Sequence, residues 1–474
     1  MLPRFPTFLL LVLMAVPARA QRVPPPEPVL PIPTARQLEW QEGGLRMFVH
    51  FGVNTFTDRE WGDGTESPDL FQPAAFNARQ WARVARETGF STIILTAKHH
   101  DGFALWDSRY TLHDVASSSW LQGRGDVVGA LSEAVRAEGL SMGLYLSPWD
   151  QHEPSYGDEA GYNAFYVAQL RELLTQYGPL KEVWFDGAKG ENAKDMNYHF
   201  DAFWATVRQL QPAAVMFSDA GPDVRWIGNE RGHAGETNWS TFDRSKVSIG
   251  ALGIEKYLNE GDENGPDWVG GECDVSIRRG WFYHPDQEPK SVAELMDIFY
   301  KSAGRNCVLL LNIPPNRDGL LDEKDVRRLQ EFKAARDAVF ATDLAAGATA
   351  TASNVRGGDD AFAPAQLFDR SQETFWATDD AVREASVEIV LPGARTFNVI
   401  RLQEPIHLGQ RIGAYRVEAE VGGRWTTLVE GTTIGYQKLD RIEATTSSRL
   451  RVTVLDARGC PLLAGFGLYL DTAQ

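Results

Sequence analysis

The chain has 474 residues and a formal charge of −17, too long for one compact core and without a basic cluster. One large domain plus a smaller one is expected, and nucleic acid and anionic membrane are excluded as natural partners. Cys273, Cys307 and Cys460 are the three cysteines, widely spaced and lacking any CxxC pair, which argues against structural zinc and allows at most one disulfide.

Residues 1–20 combine Arg4, an apolar run from Phe8 to Val16 and the small-residue site Ala18-Arg19-Ala20, the pattern of a cleaved secretory signal with Gln21 as mature N-terminus. Loss of Arg4 and Arg19 makes the charge −19. The run is too short for an anchor, and no cysteine follows it to carry a lipid. Export to the periplasm or medium, without membrane insertion, is the expectation. Asn238-Trp239-Ser240 matches a glycosylation sequon over three residues only and is read as incidental.

Met47–His50 reads as a first strand, and 76–88 carries Trp81, Val84 and Ala85 at helical spacing before Gly89. The alternation continues with strand Thr92–Thr96 and helix Val127–Glu138, then strand Met142–Leu146 and helix Tyr162–Tyr177. A fourth apolar run, Glu182-Val183-Trp184-Phe185, ends in Asp186-Gly187. Helix Asn197–Leu210, strand Ala214–Phe217, the Trp226–Glu230 run, helix Ser291–Ser302 and the buried strand Val308–Asn312 follow. Such alternation predicts an α/β fold, a (β/α)8-like TIM barrel over residues 21–340. Residues 231–285, rich in Gly, Asp and Trp, are expected to be irregular, with fewer than eight regular helices in all.

After the amphipathic helix Glu323–Phe340 the pattern changes to period-two segments, among them Ser386–Val390, Tyr415–Ala419 and Leu450–Val454. Alternation with intervening turns predicts a C-terminal antiparallel β-sandwich over 345–474, the boundary falling near Ala341–Ala346.

Parallel barrels gather their chemistry at the carboxyl ends of the strands. Those ends carry His50, His99-His100-Asp101, Ser147–Asp150, Asp186, Ser218-Asp219 and Glu230. A lone Asp or His there is more often a turn or cap residue, but a succession of them points to a site. Trp61, Trp106, Trp149, Trp184, Trp226 and Trp281 are each core or sugar platforms. Two acids at strand ends, Asp186 and Glu230, fit glycosidic bond cleavage. Adjacent histidines on a strand face opposite ways, and the His-x-His pair of metal-dependent barrel hydrolases is missing, so neither metal nor other cofactor is expected.

The motifs Val49-His50-Phe51-Gly52, Arg59-Glu60-Trp61, Lys98–Phe103 and Val183–Gly187 resemble the α-L-fucosidases of glycoside hydrolase family 29, over about residues 40–340. Asn54–Gly62, Tyr145–Asp150 and Gly228-Asn229-Glu230 are similar to the branch that prefers α-1,3 and α-1,4 linkages. The resemblance implies an exo-acting, retaining enzyme acting on fucosylated oligosaccharides or glycoproteins. Asp186 would be nucleophile and Glu230 general acid/base, favoured over Glu236, Glu272 and Asp223, with the carboxyls about 5 to 5.5 Å apart. It also implies a fucose pocket of His50, Glu60, Trp61, His99, His100 and Tyr145 beside Trp184, Trp226 and Trp281, where aromatic surface meets the C5 methyl group and polar groups meet the hydroxyls. At least one imidazole is expected to donate to those hydroxyls. Loops between Gly261 and Arg279 are expected to shape the leaving-group side. The C-terminal part resembles discoidin-like carbohydrate-binding modules through Leu367-Phe368-Asp369 and Thr374–Ala377, with Trp376 and Trp425 as the candidate indole platforms. A non-catalytic glycan-binding barrel, a metal-dependent barrel hydrolase and a retaining glycosidase of another sugar are the alternatives.

Overall fold

The computed structural model describes residues 23–473, so the expected signal and the terminus at Gln21 lie outside the described residues. Eight strands form a closed parallel barrel: β1 (Arg46–Val49), β2 (Thr92–Lys98), β3 (Ser141–Leu146), β4 (Glu182–Trp184), β5 (Val215–Ser218), β6 (Val224–Trp226), β7 (Gly270–Ser276) and β8 (Cys307–Asn312). Their order around the barrel is β1-β8-β7-β6-β5-β4-β3-β2. Covered on both faces, most of these strands are rich in apolar residues, β7 with Glu272 and Asp274 being the exception. Phe48, Ile94, Tyr145, Trp184, Val215, Phe217, Val308 and Leu310 fill the interior, with Trp184 stacked on Phe217 at 3.9 Å.

The barrel floor is polar. Arg46 pairs with Glu182 at 3.0 Å, the Trp40 indole donates to the same carboxylate, and Glu272 accepts the Trp184 indole at 2.9 Å. Burial raises both carboxyls, and the neighbouring Glu182 charge lifts Glu272 further, so the proton resides on Glu272.

The helices that cover the barrel are α1 (Ala78–Thr88), α2 (Val127–Ala137), α3 (Glu159–Gln176), α4 (Phe200–Leu210), α5 (Val292–Lys301) and α6 (Glu323–Phe340). Asn77, Asp126 and Ser291 cap α1, α2 and α5 through their side chains. Gly89 ends α1 at φ 87°, a left-handed position suited to glycine. Among the described residues no helix is long and apolar enough to cross a membrane.

Two expectations change here. Within 231–285, where irregular chain was expected, β7 supplies a full barrel strand. Gly270, Gly271, Glu272 and Asp274 break the apolar run that would have announced it, because Glu272 and Asp274 serve the interior while Cys273 packs outward with Ile227 and Ala234. The strand in the Trp226–Glu230 run stops at Trp226, leaving Glu230 on the loop beyond. No helix separates β5 from β6, which are joined by Asp219–Asp223 alone. Cys273 and Cys307, on adjacent strands, form a disulfide, and Cys460 is free and buried.

The C-terminal region is an antiparallel sheet of β9 (Thr349–Ala352), β10 (Ala385–Gln403), β11 (Ile412–Val421), β12 (Arg424–Gly431), β13 (Lys438–Ala457) and β14 (Gly465–Tyr469), ordered β9-β10-β13-β11-β12 with β14 also on β10. A short pairing of Trp376–Ala377 with Leu462–Leu463 forms the second layer, and Trp376 and Leu463 share one core with Val387, Tyr415 and Val452. Trp376 is therefore core, not a platform. Arg449 and Arg451 lie over the Trp425 ring at 5.4 and 4.6 Å, and that indole is partly buried. Tyr300 of α5 donates to Asp471 at 2.9 Å, and Asn238 donates from its backbone to Thr433 at 2.8 Å, tying the sheet to the barrel. The Asn238 amide is itself buried and donates to the Arg305 carbonyl at 2.7 Å, in keeping with an incidental sequon.

Candidate active site

A cavity of about 520 Å³ opens at the carboxyl ends of the strands. Phe48, His50, Trp61, His99, His100, Trp184, Asp186, Trp226, Glu230 and Trp281 line it, so most of the candidates scattered between positions 50 and 281 meet in one place.

Asp186 follows β4 by two residues. Its Oδ2 accepts the Tyr145 hydroxyl at 3.0 Å and its Oδ1 accepts the Ala188 N–H at 2.8 Å. The carboxylate is thus pinned at both oxygens by groups on a rigid strand and a tight turn. Glu230 sits at the solvent-accessible rim, its Oε2 accepting the Trp281 indole at 3.3 Å. Burial of its carboxyl pushes its pKa up, and the Asp186 and Glu60 charges add to this against the indole hydrogen bond.

The histidines behave differently from expectation. β2 ends at Lys98, so His99 and His100 lie past the pleat, and their rings, 4.1 Å apart, both reach the cavity instead of facing opposite ways. Burial pushes His50 down to about 3 and His100 to about 4, and lowers His99 strongly, so all three are neutral near pH 7. The 3.7 Å approach of His100 Nε2 to Asp186 is accordingly no ion pair at that pH.

Glu60 stands behind the wall. Its carboxylate accepts the Trp281 N–H at 2.7 Å and binds His284, which Asp58 holds from the other nitrogen at 2.8 Å. These two carboxylates outweigh burial and raise the His284 pKa. Tyr145 reaches the site through its hydroxyl alone. Trp61 is half exposed, edge-on to His100 and Trp149. Trp106 is core, its indole donating to Glu172.

Sequence reasoning missed Asp274 and counted Asp219 among the strand-end polar groups without giving it a role. Asp274 accepts the Trp226 indole at 2.9 Å, and burial with the Glu230 charge raises it well above the carboxylate range. Asp219 accepts the Gly250 N–H at 2.6 Å, yet burial and the Asp186 charge lift it to about 6. The signal for Asp274 was a charged residue with period-two spacing from Glu272, legible only once β7 is known. The outer rim is built by Gly187–Glu191, Asp195 and Gly250–Leu252; of the segment Gly261–Arg279, expected to shape it, only Asp274 lines the cavity. None of the rival acids does: Glu236 pairs with Arg305, Asp223 with Arg36 and Arg208, and Glu272 lies in the floor.

A family model described as alpha-L-fucosidase matches residues 33–334. The chain belongs to the α-L-fucosidase family. Alpha-L-fucosidase 1 of Arabidopsis thaliana is 48% identical over 94% of this chain and 89% of its own length. A counterpart in Oryza sativa subsp. japonica is 51% identical over 96% of this chain and 88% of its own. The structure of a Ruminococcus gnavus fucosidase of glycoside hydrolase family 29, in complex with fucose, superposes with a TM-score of 0.89 at 37% identity, covering 95% of this chain and 97% of that one. In this α-L-fucosidase family member, then, a pocket at the barrel mouth brings together two carboxyls in contrasting surroundings, three neutral imidazoles and a set of indole rings.

Proposed function

We propose that this member of the family is an exported, exo-acting, retaining α-L-fucosidase that releases terminal L-fucose from α-1,3/1,4-fucosylated oligosaccharides or glycoproteins, with Asp186 as nucleophile and Glu230 as general acid/base. The observation that carries the reading is the contrast between the two carboxyls. Asp186 is held by two donors, whereas Glu230 lies across the same cavity with its proton affinity raised. A carboxyl fixed by two donors, facing one of raised proton affinity, suits the roles of nucleophile and acid respectively.

Asp186 attacks the anomeric carbon while Glu230 protonates the departing glycosidic oxygen. A covalent fucosyl ester forms, and water activated by the now ionised Glu230 hydrolyses it. A pocket whose base is the packed barrel interior suits a terminal sugar. Trp184, Trp226 and Trp281 offer surface for the C5 methyl and the ring, and the imidazoles face the hydroxyls. The linkage preference is supported by the stretches Asn54–Gly62, Tyr145–Asp150 and Gly228–Glu230. Export is supported by the N-terminal leader pattern and by the Cys273–Cys307 disulfide, a bond that persists in oxidising compartments.

The test is a panel of linkage-defined fucosylated oligosaccharides. Free fucose is expected from α-1,3 and α-1,4 linkages with initial retention of the anomeric configuration, and α-1,2 or α-1,6 substrates cleaved equally well would refute the linkage assignment.

A further inference from the structure

His50, His99 and His100 are each fixed in one tautomer by what stands behind them. The Ser147 hydroxyl lies 2.6 Å from the Trp149 carbonyl and 2.7 Å from His100 Nδ1. Two oxygens that close repel unless a proton lies between them, so the single hydroxyl proton belongs to Trp149. Ser147 can then only accept from His100, which places the imidazole proton on Nδ1 and leaves Nε2, the nitrogen 3.7 Å from Asp186, as an acceptor.

Asn312 does the same for His50. Its amide nitrogen is identified by two partners, Ser276 Oγ at 2.9 Å and the Trp281 carbonyl at 2.8 Å, the second of which can only accept. Its oxygen therefore faces His50, taking the backbone N–H at 3.2 Å and Nδ1 at 2.9 Å. Nδ1 is the donor, and Nε2 is left as an acceptor for the cavity.

His99 is the reverse case. Its Nδ1 is buried with no partner. A buried orphan donor costs more than an orphan acceptor, so the proton sits on Nε2, the nitrogen left to the cavity. Burial keeps all three rings neutral, so the tautomers are not blurred by protonation.

We infer that Ser147 and Asn312 are positioning residues that set the hydrogen-bond polarity of the pocket, His50 and His100 each presenting an acceptor to a sugar hydroxyl and His99 presenting a donor. The inference rests on the fucosidase reading for the identity of the sugar and on the geometry alone for the tautomers. The pocket then reads a pattern of two donating hydroxyls and one accepting hydroxyl, and not merely their positions. A hydroxyl replaced by fluorine can still accept but no longer donate. Such a replacement is tolerated opposite His99 and rejected opposite His50 and His100.

Neutron diffraction from crystals of the full mature chain, ligand-free and near pH 7, tests the tautomers independently of turnover. Deuterium is expected on Nδ1 of His50 and His100 and on Nε2 of His99; deuterium on Nε2 of either acceptor ring, or on Nδ1 of His99, overturns the inference. Ser147→Ala removes the partner of Nδ1–H and frees His100 to carry its proton on Nε2. It should lower kcat/KM on an aryl α-L-fucoside about tenfold, as for one misoriented hydrogen bond, with the neutron map of the variant showing the moved proton. An unmoved proton with unchanged kcat/KM also overturns the role of Ser147. If wild-type protein shows the expected deuterium pattern but releases no fucose, the functional reading fails while the tautomers stand.

Discussion

The Tyr145 hydroxyl donates to Asp186 Oδ2 across 3.0 Å, from the penultimate residue of β3 to a residue two places past the end of β4. This bond holds the carboxylate in one orientation, and for the proposed nucleophile it is also a bond that weakens as charge passes to the sugar. Tyr145→Phe is therefore expected to lower kcat by about 10- to 100-fold, the range for a hydrogen bond to a charged group, while the circular dichroism spectrum and melting temperature stay near wild type. Unchanged kcat would show that the contact does not bear on chemistry.

Asp186→Ala should abolish turnover. Glu230→Ala should slow glycans with poor leaving groups far more than activated aryl fucosides, which need little protonation as they leave. Azide should restore turnover in both variants, giving fucosyl azides of opposite anomeric configuration that are distinguishable by NMR. Near-normal activity of Glu230→Ala on oligosaccharides, with Glu236→Ala showing the acid/base pattern, would move the assignment to Glu236.

Two titrations bound the activity. Glu230, raised by burial and the Asp186 charge, must carry its proton to act as acid, so kcat/KM falls as pH rises through its elevated pKa. His100, depressed to about 4, becomes a cation below that value and would lose the acceptor proposed to face the sugar, so kcat/KM is expected to fall again on the acid side. A bell-shaped profile is expected, and Glu230→Gln should erase the upper limb on activated substrates.

Asp101 is fully buried, accepts from Phe103 N–H at 2.7 Å and Asn54 at 2.9 Å, and is raised to about 7, first by burial and then by Glu66 and Asp150. Because its folded pKa lies above the unfolded value of 3.8, the folded state binds more protons in this window and stability falls as pH rises from about 4 to about 7. Asp101→Asn should remove that slope, gaining up to about 4 kcal/mol relative to wild type at pH 8 and little at pH 4, read as chemical-denaturation midpoints. A pH-independent difference would show that Asp101 does not titrate in this range.

The disulfide between Cys273 and Cys307 closes a loop of sequence separation 34 and links adjacent barrel strands. Replacing both cysteines by alanine should cost about 3 to 4 kcal/mol through the entropy of the unfolded chain. The same loss should follow reduction of the wild-type protein, and Cys460→Ala should not reproduce it.

What the sequence by itself determined is whatever local periodicity and local motifs encode. Apolar runs of parallel strands, helix spacing before Gly89, period-two segments after residue 345 and the position of Asp186 at the end of an apolar run are all properties of neighbouring residues. Strand β7 was illegible because its inward residues, Glu272 and Asp274, are charged, and only a barrel interior that supplies the Trp184 and Trp226 indoles makes them tolerable there. Among the rival acids the chain favoured Glu230 only through the resemblance of Gly228-Asn229-Glu230, whereas the fold separates them by place, Glu236 pairing with Arg305 and Glu272 lying in the barrel floor. The histidine pair was misjudged because the pleat that separates neighbouring side chains stops at Lys98. Tertiary structure alone decided which carboxyls share a cavity, which carry raised proton affinity and which partners stand behind each imidazole. Those properties are set by burial and by partners such as Ser147, just past β3, and Asn312, at the end of β8, at distances that no local pattern in the chain records.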